Sequence, residues 1–311
     1  MTSHTAKLTP DQAETLRGIL AKRDFESAEV PHAVFSYKRP KLAVTWYKSG
    51  KLLIQGKGTR EFVEFTLEPE VLGQAAFADA LDAQPEQLEP RIGVDESGKG
   101  DFFGPLVVAG VYVNEPVARA LDSLGVKDSK AITSDKKIAA LAKGIRGTPG
   151  CVYSVVPIGN ASYNRLYQKM RNVNKILAWG HARVIENLLG QRYRMEPPPL
   201  RAISDQFARS KATIQSALME EGRQLKLVQM HKAESDIAVA AASILARDIF
   251  VQRLAALGQE FDLELPKGAS SKVDAAGAAF LKKHSMAKLG QTAKLHFRTT
   301  QKIQPQLGQA E

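Results

Sequence analysis

Asp95, Glu96, Asp205 and Glu234 are the residues whose type and setting suit chemistry. The apolar run Ile92-Gly93-Val94 ends in Asp95-Glu96, and Ala202-Ile203-Ser204 ends in Asp205. Glu234 sits in Lys232-Ala233-Glu234-Ser235, just ahead of an alanine-rich run. Acids at the strand ends of an α/β sheet line the crevice where such sheets bind ligands. Four carboxylates drawn together repel one another and either protonate or splay apart. Divalent cations resolve that conflict, and hard Mg²⁺ favours oxygen ligands while keeping several waters. Two such ions about 3.5–4 Å apart activate a water and stabilise the leaving oxygen of a phosphodiester. The pattern points to metal-assisted phosphodiester hydrolysis. Taken singly, an acid at a strand end is more often a helix cap or a surface charge. Asp101 and Asp236 are rivals of that kind, the first as a turn cap and the second at a helix N-terminus favoured by the dipole.

The elements that must position these acids follow from periodicity. Residues 91–95, 105–113, 151–157, 201–205 and 225–229 read as strands, with a glycine-rich turn over 97–104. Residues 135–143 and 235–253 read as helices, and 162–189 as one or two, ended by Pro197-Pro198-Pro199. Strands alternating with helices argue a layered α/β domain. Ahead of it, Thr9 caps a helix over 9–23 with Pro10 in its first turn and Gln12 completing a capping box. Strands follow over 33–37, 42–47 and 51–55, the last two joined by the turn Lys48-Ser49-Gly50. A second helix from Arg60 completes a small α-β-β-β-α unit. The stretch 74–90 is rich in Ala, Asp, Gln and Glu, with Pro85 and Pro90 as breakers, and reads as a linker. The expected division is a front substrate-binding domain over 1–75, a linker over 76–90, a catalytic domain over 91–300 and a tail over 301–311.

The 311 residues carry a net charge of +10, which favours a polyanionic partner, nucleic acid or a membrane surface. The single cysteine, Cys151, excludes an intrachain disulfide, a CxxC pair and a thiolate zinc cluster. It fits the reducing cytoplasm, where we expect the protein. Residues 1–20 lack an apolar signal core, and the apolar run 237–249 is shorter than the ~20 residues a membrane span needs. No membrane association is expected, and no obligate protein partner. In the front unit Lys38, Arg39, Lys41, Lys48, Lys51, Lys57 and Arg60 crowd around the strands, with Tyr37, Trp46 and Tyr47 interleaved. Such a mixture suits a surface that tracks a nucleic-acid backbone, although Trp46 shares the alternation of Leu42 and Val44 and reads as core. His231 and His296 read as packed or surface histidines rather than general bases. Gly98, Gly100 and Gly104 have the wrong spacing for a dinucleotide-binding loop.

The run Gly93-Val94-Asp95-Glu96-Ser97-Gly98-Lys99-Gly100-Asp101-Phe102-Phe103-Gly104-Pro105-Leu106 closely resembles the opening of the type 2 ribonucleases H, in the wording of the ribonuclease HIII branch. In family order there follow Asp128-Ser129-Lys130, then Asn172-Val173-Asn174-Lys175, then Lys232-Ala233-Glu234-Ser235 and its alanine-rich helix. Leu265-Pro266-Lys267-Gly268-Ala269-Ser270 and Lys294-Leu295-His296-Phe297 are similar to late signatures of the branch. The resemblance implies a ribonuclease H fold for the catalytic domain and a small α+β, TATA-binding-protein-like domain in front. It implies hydrolysis of the RNA strand of RNA–DNA hybrids, leaving 5′-phosphate and 3′-hydroxyl ends, with Mg²⁺, or Mn²⁺ in its place. Carried over by position, Asp95, Glu96, Asp205 and Glu234 are the metal-binding acids, glutamate at the fourth place being the HIII pattern. Ser97, Gly98, Lys99, Gly100, Ser129 and Lys130 are the expected substrate contacts. The HII branch, which incises DNA at single ribonucleotides, has Gly-Arg-Gly in the first loop and a junction-sensing tyrosine in a late Lys-Gly-Tyr-Gly segment. Here these are Gly98-Lys99-Gly100 and Ala269. An HII-like incision enzyme and a non-catalytic nucleic-acid-binding module are the alternatives left open.

Overall fold

The structure, a computed structural model, describes residues 3–72, 88–127, 129, 132–205, 214, 216–218, 220–230 and 233–304. The chain divides into two compact units, Met1–Gln84 and Pro85–Glu311. The expected linker lies outside the described residues up to residue 87, as does the tail from residue 305.

The front unit is a five-stranded antiparallel sheet in the order β1-β5-β4-β3-β2, built from β1 (Ser3–Lys7), β2 (Glu26–Ser27), β3 (Ala33–Arg39), β4 (Leu42–Tyr47) and β5 (Lys51–Gln55). Helix α1 (Pro10–Ala21) starts at the Thr9 cap, whose hydroxyl accepts from Gln12 N at 3.3 Å while Gln12 Oε1 accepts from Thr9 N. Its apolar residues Leu16 and Leu20 meet Phe35, Val44, Leu52 and Ile54 from one face of the sheet. Helix α2 (Thr59–Phe62) runs on into a wider helical stretch, Val63–Leu72, that joins the same core. Periodicity did not reveal β1 and β2. The sequence of β1, Ser-His-Thr-Ala-Lys, buries little, and it exists as a strand because it pairs along the open edge of β5. Trp46 is half-buried against the core.

The second unit holds a sheet in the order β10-β9-β6-β7-β8: β6 (Arg91–Ser97), β7 (Leu106–Val113), β8 (Val152–Ile158), β9 (Arg201–Asp205) and β10 (Lys226–Met230). β6, β9 and β10 run parallel, and β7 runs antiparallel to β6 and to β8. Helices cover both faces. In chain order they are α3 (Glu115–Ser123), α4 (Asp135–Gly147), α5 (Asn160–Met170), α6 (Val173–Leu189), α7 (Glu220–Gln224), α8 (Ile237–Glu260), α9 (Ser271–Lys283), α10 (Met286–Thr292) and α11 (Arg298–Ile303). α6 packs Ala182, Ile185 and Leu188 against Ile92, Val94, Val108 and Tyr112 on one face. α8 lies on the other, with Ala238, Ala241, Ala242 and Leu245 buried against Val107, Ala109 and Val111. A helix apolar on all sides belongs in a core, and small residues let this one come close. A Cβ on Gly93 of β6 would stand 2.2 Å from the Ala238 carbonyl carbon. Periodicity missed α3 and the three helices after residue 270, whose core residues Val273, Phe280, Leu289 and Ile303 are thinly spread. No helix among the described residues is long and apolar enough to cross a membrane.

Candidate active site

β6 and β9 are paired in parallel from Arg91↔Arg201 to Val94↔Ser204, so Asp95 and Asp205 are the next residues of each strand beyond the last pair. Successive strand residues face opposite sides of a sheet. Gly93 faces α8 and Ile203 clusters with Ala233 and Val239, so Asp95 and Asp205 share the α8 face. The short turn Ala233–Ser235, which carries Glu234, sits against β9 on that same face. Glu96 points the other way, toward α6. Its Oε2 lies 3.0 Å from His181 Nε2 and its Oε1 3.7 Å from Lys99 Nζ. The fold thus brings the four acids to one end of β6 and β9, three on one face and Glu96 on the other. Among the described residues, no three His, Cys, Asp or Glu side chains are gathered tightly enough to grip one ion. The donors themselves are hard carboxylate oxygens, the set that Mg²⁺ and Mn²⁺ accept.

The two rival acids have other occupations. Asp236 caps α8, its Oδ1 accepting from Ala238 N at 2.8 Å and Val239 N at 3.4 Å. Its Oδ2 accepts from Arg91 Nε at 2.7 Å, and the two side chains are 8% and 0% exposed. Both oxygens are spent on holding the root of β6 to the start of α8. Asp101 brackets two loops, accepting from Gly268 N at 2.6 Å while Phe102 N donates to Gly268 O at 2.9 Å.

The loop after β6 is shaped by Gly98. Its φ is +91°, and a Cβ there would stand 2.2 Å from Pro105 O, so no side chain fits. Lys99 and Gly100 are exposed at the loop's tip. Buried Lys294 clips its far side, donating from Nζ to Asp101 O at 2.8 Å and Gly104 O at 2.5 Å. Burial pushes this amine down to about 7. Ser129 is 5% exposed and shares a hydrogen bond with Ser243 of α8, while its carbonyl accepts from Arg247. Asp135 pairs with Lys267 at 2.6 Å and with Arg247 at 3.3 Å, and the hydrogen bond from Lys267 holds its carboxyl below the usual carboxylate range. Lys130 lies outside the described residues, as does His231. His296 is stacked on Tyr167 at 4.3 Å, and burial, with Lys294 nearby, lowers its basicity.

A family model described as Ribonuclease HII matches residues 92–300, and one described as a domain of unknown function, DUF3378, matches residues 4–73. The ribonuclease HIII of Chlamydia pneumoniae is 43% identical over 300 residues, spanning 95% of this chain and 96% of that one. The chain belongs to the ribonuclease HIII family. The ribonuclease HIII of Protochlamydia amoebophila is likewise 43% identical, over 95% of each chain. A crystal structure of Bst-RNase HIII in complex with Mn²⁺ superposes with a TM-score of 0.65 at 32% identity, covering 97% of this chain and 98% of that one. The chain is therefore a metal-dependent endoribonuclease of the ribonuclease H class, with a ribonuclease H fold preceded by a separate small domain.

His181 is the residue that sequence reasoning passed over. It lies in α6 between Ala178, Ala182 and Ile185, all buried. A lone polar residue on an apolar helical stripe was the available signal, since such a group needs hydrogen-bond partners inside the core.

Proposed function

We propose that the protein hydrolyses the RNA strand of RNA–DNA hybrids, leaving 5′-phosphate and 3′-hydroxyl ends. The observation that carries this reading is the side-by-side placement of Asp95 and Asp205 at the ends of two parallel strands, with Glu234 beside the same face. Asp95, Glu96, Asp205 and Glu234 would hold two divalent cations, Mg²⁺ or Mn²⁺ in its place. When bound, such ions supply an activated water and charge stabilisation at the leaving oxygen. The chain's own residues bind and orient. The backbone of Ser97, Gly98 and Gly100 suits phosphate and the RNA 2′-hydroxyl, the group that distinguishes RNA from DNA. Lys99 and Lys130 add charge, and Ser129, whose hydroxyl is turned to Ser243, would meet the substrate through its backbone.

We assign the front domain, expected over 1–75, to substrate binding through its exposed lysines. The buried single cysteine, Cys151, is in keeping with a reducing cytoplasmic location. The loop Lys267-Gly268-Ala269-Ser270 pairs back onto the Gly98–Gly104 loop through Gly268. That position supports Ala269 as the counterpart of the HII branch's junction-sensing tyrosine. The enzyme should need several consecutive ribonucleotides. The deciding assay compares a full hybrid with a DNA duplex carrying one ribonucleotide, in Mg²⁺ and again in Mn²⁺. Equal rates on the two substrates in Mg²⁺ would transfer the protein to the HII-like reading.

A further inference from the structure

Helix α6 carries a fully buried histidine that bridges the two acid-bearing strands. His181 Nε2 is 3.0 Å from Glu96 Oε2 on β6, and its Nδ1 is 3.0 Å from Ser204 Oγ on β9. Ser204 directly precedes Asp205. The Glu96 carboxylate sets one side of the ring. A carboxylate only accepts, so Nε2 carries the hydrogen that is donated to Glu96. Nδ1 meets the Ser204 hydroxyl at 3.0 Å, and the same hydroxyl lies 3.1 Å from the Asp205 carbonyl oxygen, so its single hydrogen serves one of these two acceptors.

The helix reaches this depth because two glycines clear its path. A Cβ on Gly180 would stand 2.8 Å from Val108 Cγ2, and one on Gly110 of β7 would stand 2.4 Å from Val184 Cγ1. With no exposed surface, the ring cannot touch nucleic acid. Whatever it contributes to cleavage passes through Glu96 and Ser204.

We infer that His181 is a positioning residue: it fixes the rotation of the Glu96 carboxylate and, through Ser204, ties that carboxylate to the strand that ends in Asp205. The inference rests on the reading of Glu96 as a metal-binding acid. One oxygen of Glu96 is committed to the ring, which leaves the other directed toward the strand end and Lys99. Partners that hydrogen-bond a ligating carboxylate orient it and raise metal affinity, and their loss typically costs about 10–100-fold in affinity or activity.

The test compares the full-length wild type with His181→Leu, His181→Gln, His181→Asn, Ser204→Ala and Glu96→Gln. Each is assayed on an RNA–DNA hybrid for kcat, KM and the Mg²⁺ concentration giving half-maximal rate, and Mn²⁺ binding is followed directly by electron paramagnetic resonance. Leucine fills the space and removes the donor. Glutamine places an amide nitrogen about where Nε2 stands, whereas the shorter asparagine reaches Ser204 but not Glu96. We expect His181→Leu and His181→Asn to lose about 10–100-fold in kcat and to need more Mg²⁺. Hybrid KM should stay within about twofold, a split that general misfolding would not produce. His181→Gln should recover most of the loss, and Ser204→Ala should fall between. If the leucine variant does not fold, the asparagine and glutamine pair decides the matter by the same comparison. Wild-type kcat and Mg²⁺ dependence in His181→Asn, or no difference between asparagine and glutamine, would overturn the inference while an inactive Glu96→Gln leaves the metal reading intact. A fully active Glu96→Gln with unchanged Mn²⁺ binding would instead overturn the metal reading, and the positioning role with it.

Discussion

The two ends of strand β6 handle charge in opposite ways. At its start Arg91 is sealed from solvent and its charge is met by Asp236, which also caps α8. At its other end Asp95 emerges beside Asp205 on one face of the sheet, and Glu96 emerges on the opposite face. A buried ion pair is costly to break and adds little over an apolar pair. Massed carboxylates are costly to assemble and are retained where a cation is to be bound. If the proposed metal reading holds, one seven-residue strand joins a structural end to a chemical end, and the two should respond to substitution in separable ways.

The largest expected effect is at the chemical end. Asp205→Asn keeps the shape and removes a charge, so cleavage in Mg²⁺ should fall by about 10³-fold or more, the several kcal/mol that a metal site supplies. Hybrid binding should change little, and the melting temperature should not fall, because one like charge has left the cluster. Turnover near normal would remove Asp205 from the site. At the structural end the order reverses. Asp236→Ala strands the Arg91 guanidinium and removes a helix cap, and should cost about 3–5 kcal/mol in urea unfolding. Enzyme that remains folded should cleave at a near-normal rate. The double change Arg91→Met with Asp236→Asn keeps the cap and removes both charges, and should recover most of the stability. Equal losses in the single and double variants would show that the pair is a net stabiliser.

How far the sequence reached depended on how local each signal was. Asp95 and Asp205 were visible because each closes an apolar run, and the α8 helix because alanine dominates it. The choice between Glu234 and Asp236 was not local. The resemblance favoured Glu234, and the guanidinium that occupies Asp236, that of Arg91, is 145 residues away. Ser129 read as a substrate contact, but the partner of its hydroxyl, Ser243, is 114 residues distant and draws it inward. His181 showed only as a lone polar residue on an apolar stripe, because the partners that define its role lie 85 and 23 residues away on two different strands. The strands β1 and β2 were lost for a related reason, since edge pairing rather than apolar alternation creates them.

A separation of roles is also expected between the two units, with a smaller effect. Lys38, Lys48 and Lys51 are exposed on or beside β3 and β5, in a unit that holds none of the four acids. Replacing all three by alanine should weaken hybrid binding about tenfold or less at moderate salt and leave kcat unchanged. The slope of log K against log salt should become shallower by about 0.9 for each phosphate no longer neutralised. An unchanged slope would give the front unit another purpose.

The smallest effect concerns a second buried cation. Lys294 donates to the carbonyls of Asp101 and Gly104, where Arg91 has a carboxylate. Guanidinium cannot give up its proton, but an amine can, and burial brings Lys294 down from 10.5 to about 7. In the unfolded chain it regains its ordinary value. Between these two values the unfolded state binds one proton more than the folded state, so stability rises with pH. It is fullest above about 10.5, declines as pH falls, and levels off below about 7. Other groups bound the usable window. Burial pushes the Cys151 thiol up to about 12, which lowers stability above its ordinary 9, and the depression of His296 acts below 6.5. Between about pH 7 and 9 the wild type should therefore gain on the order of 1 kcal/mol relative to Lys294→Met, which cannot titrate there. Thermal melts of both proteins across that window measure the difference. Parallel curves would mean that the carbonyl clip keeps Lys294 charged throughout, and the contrast with Arg91 would then lie in the partners alone.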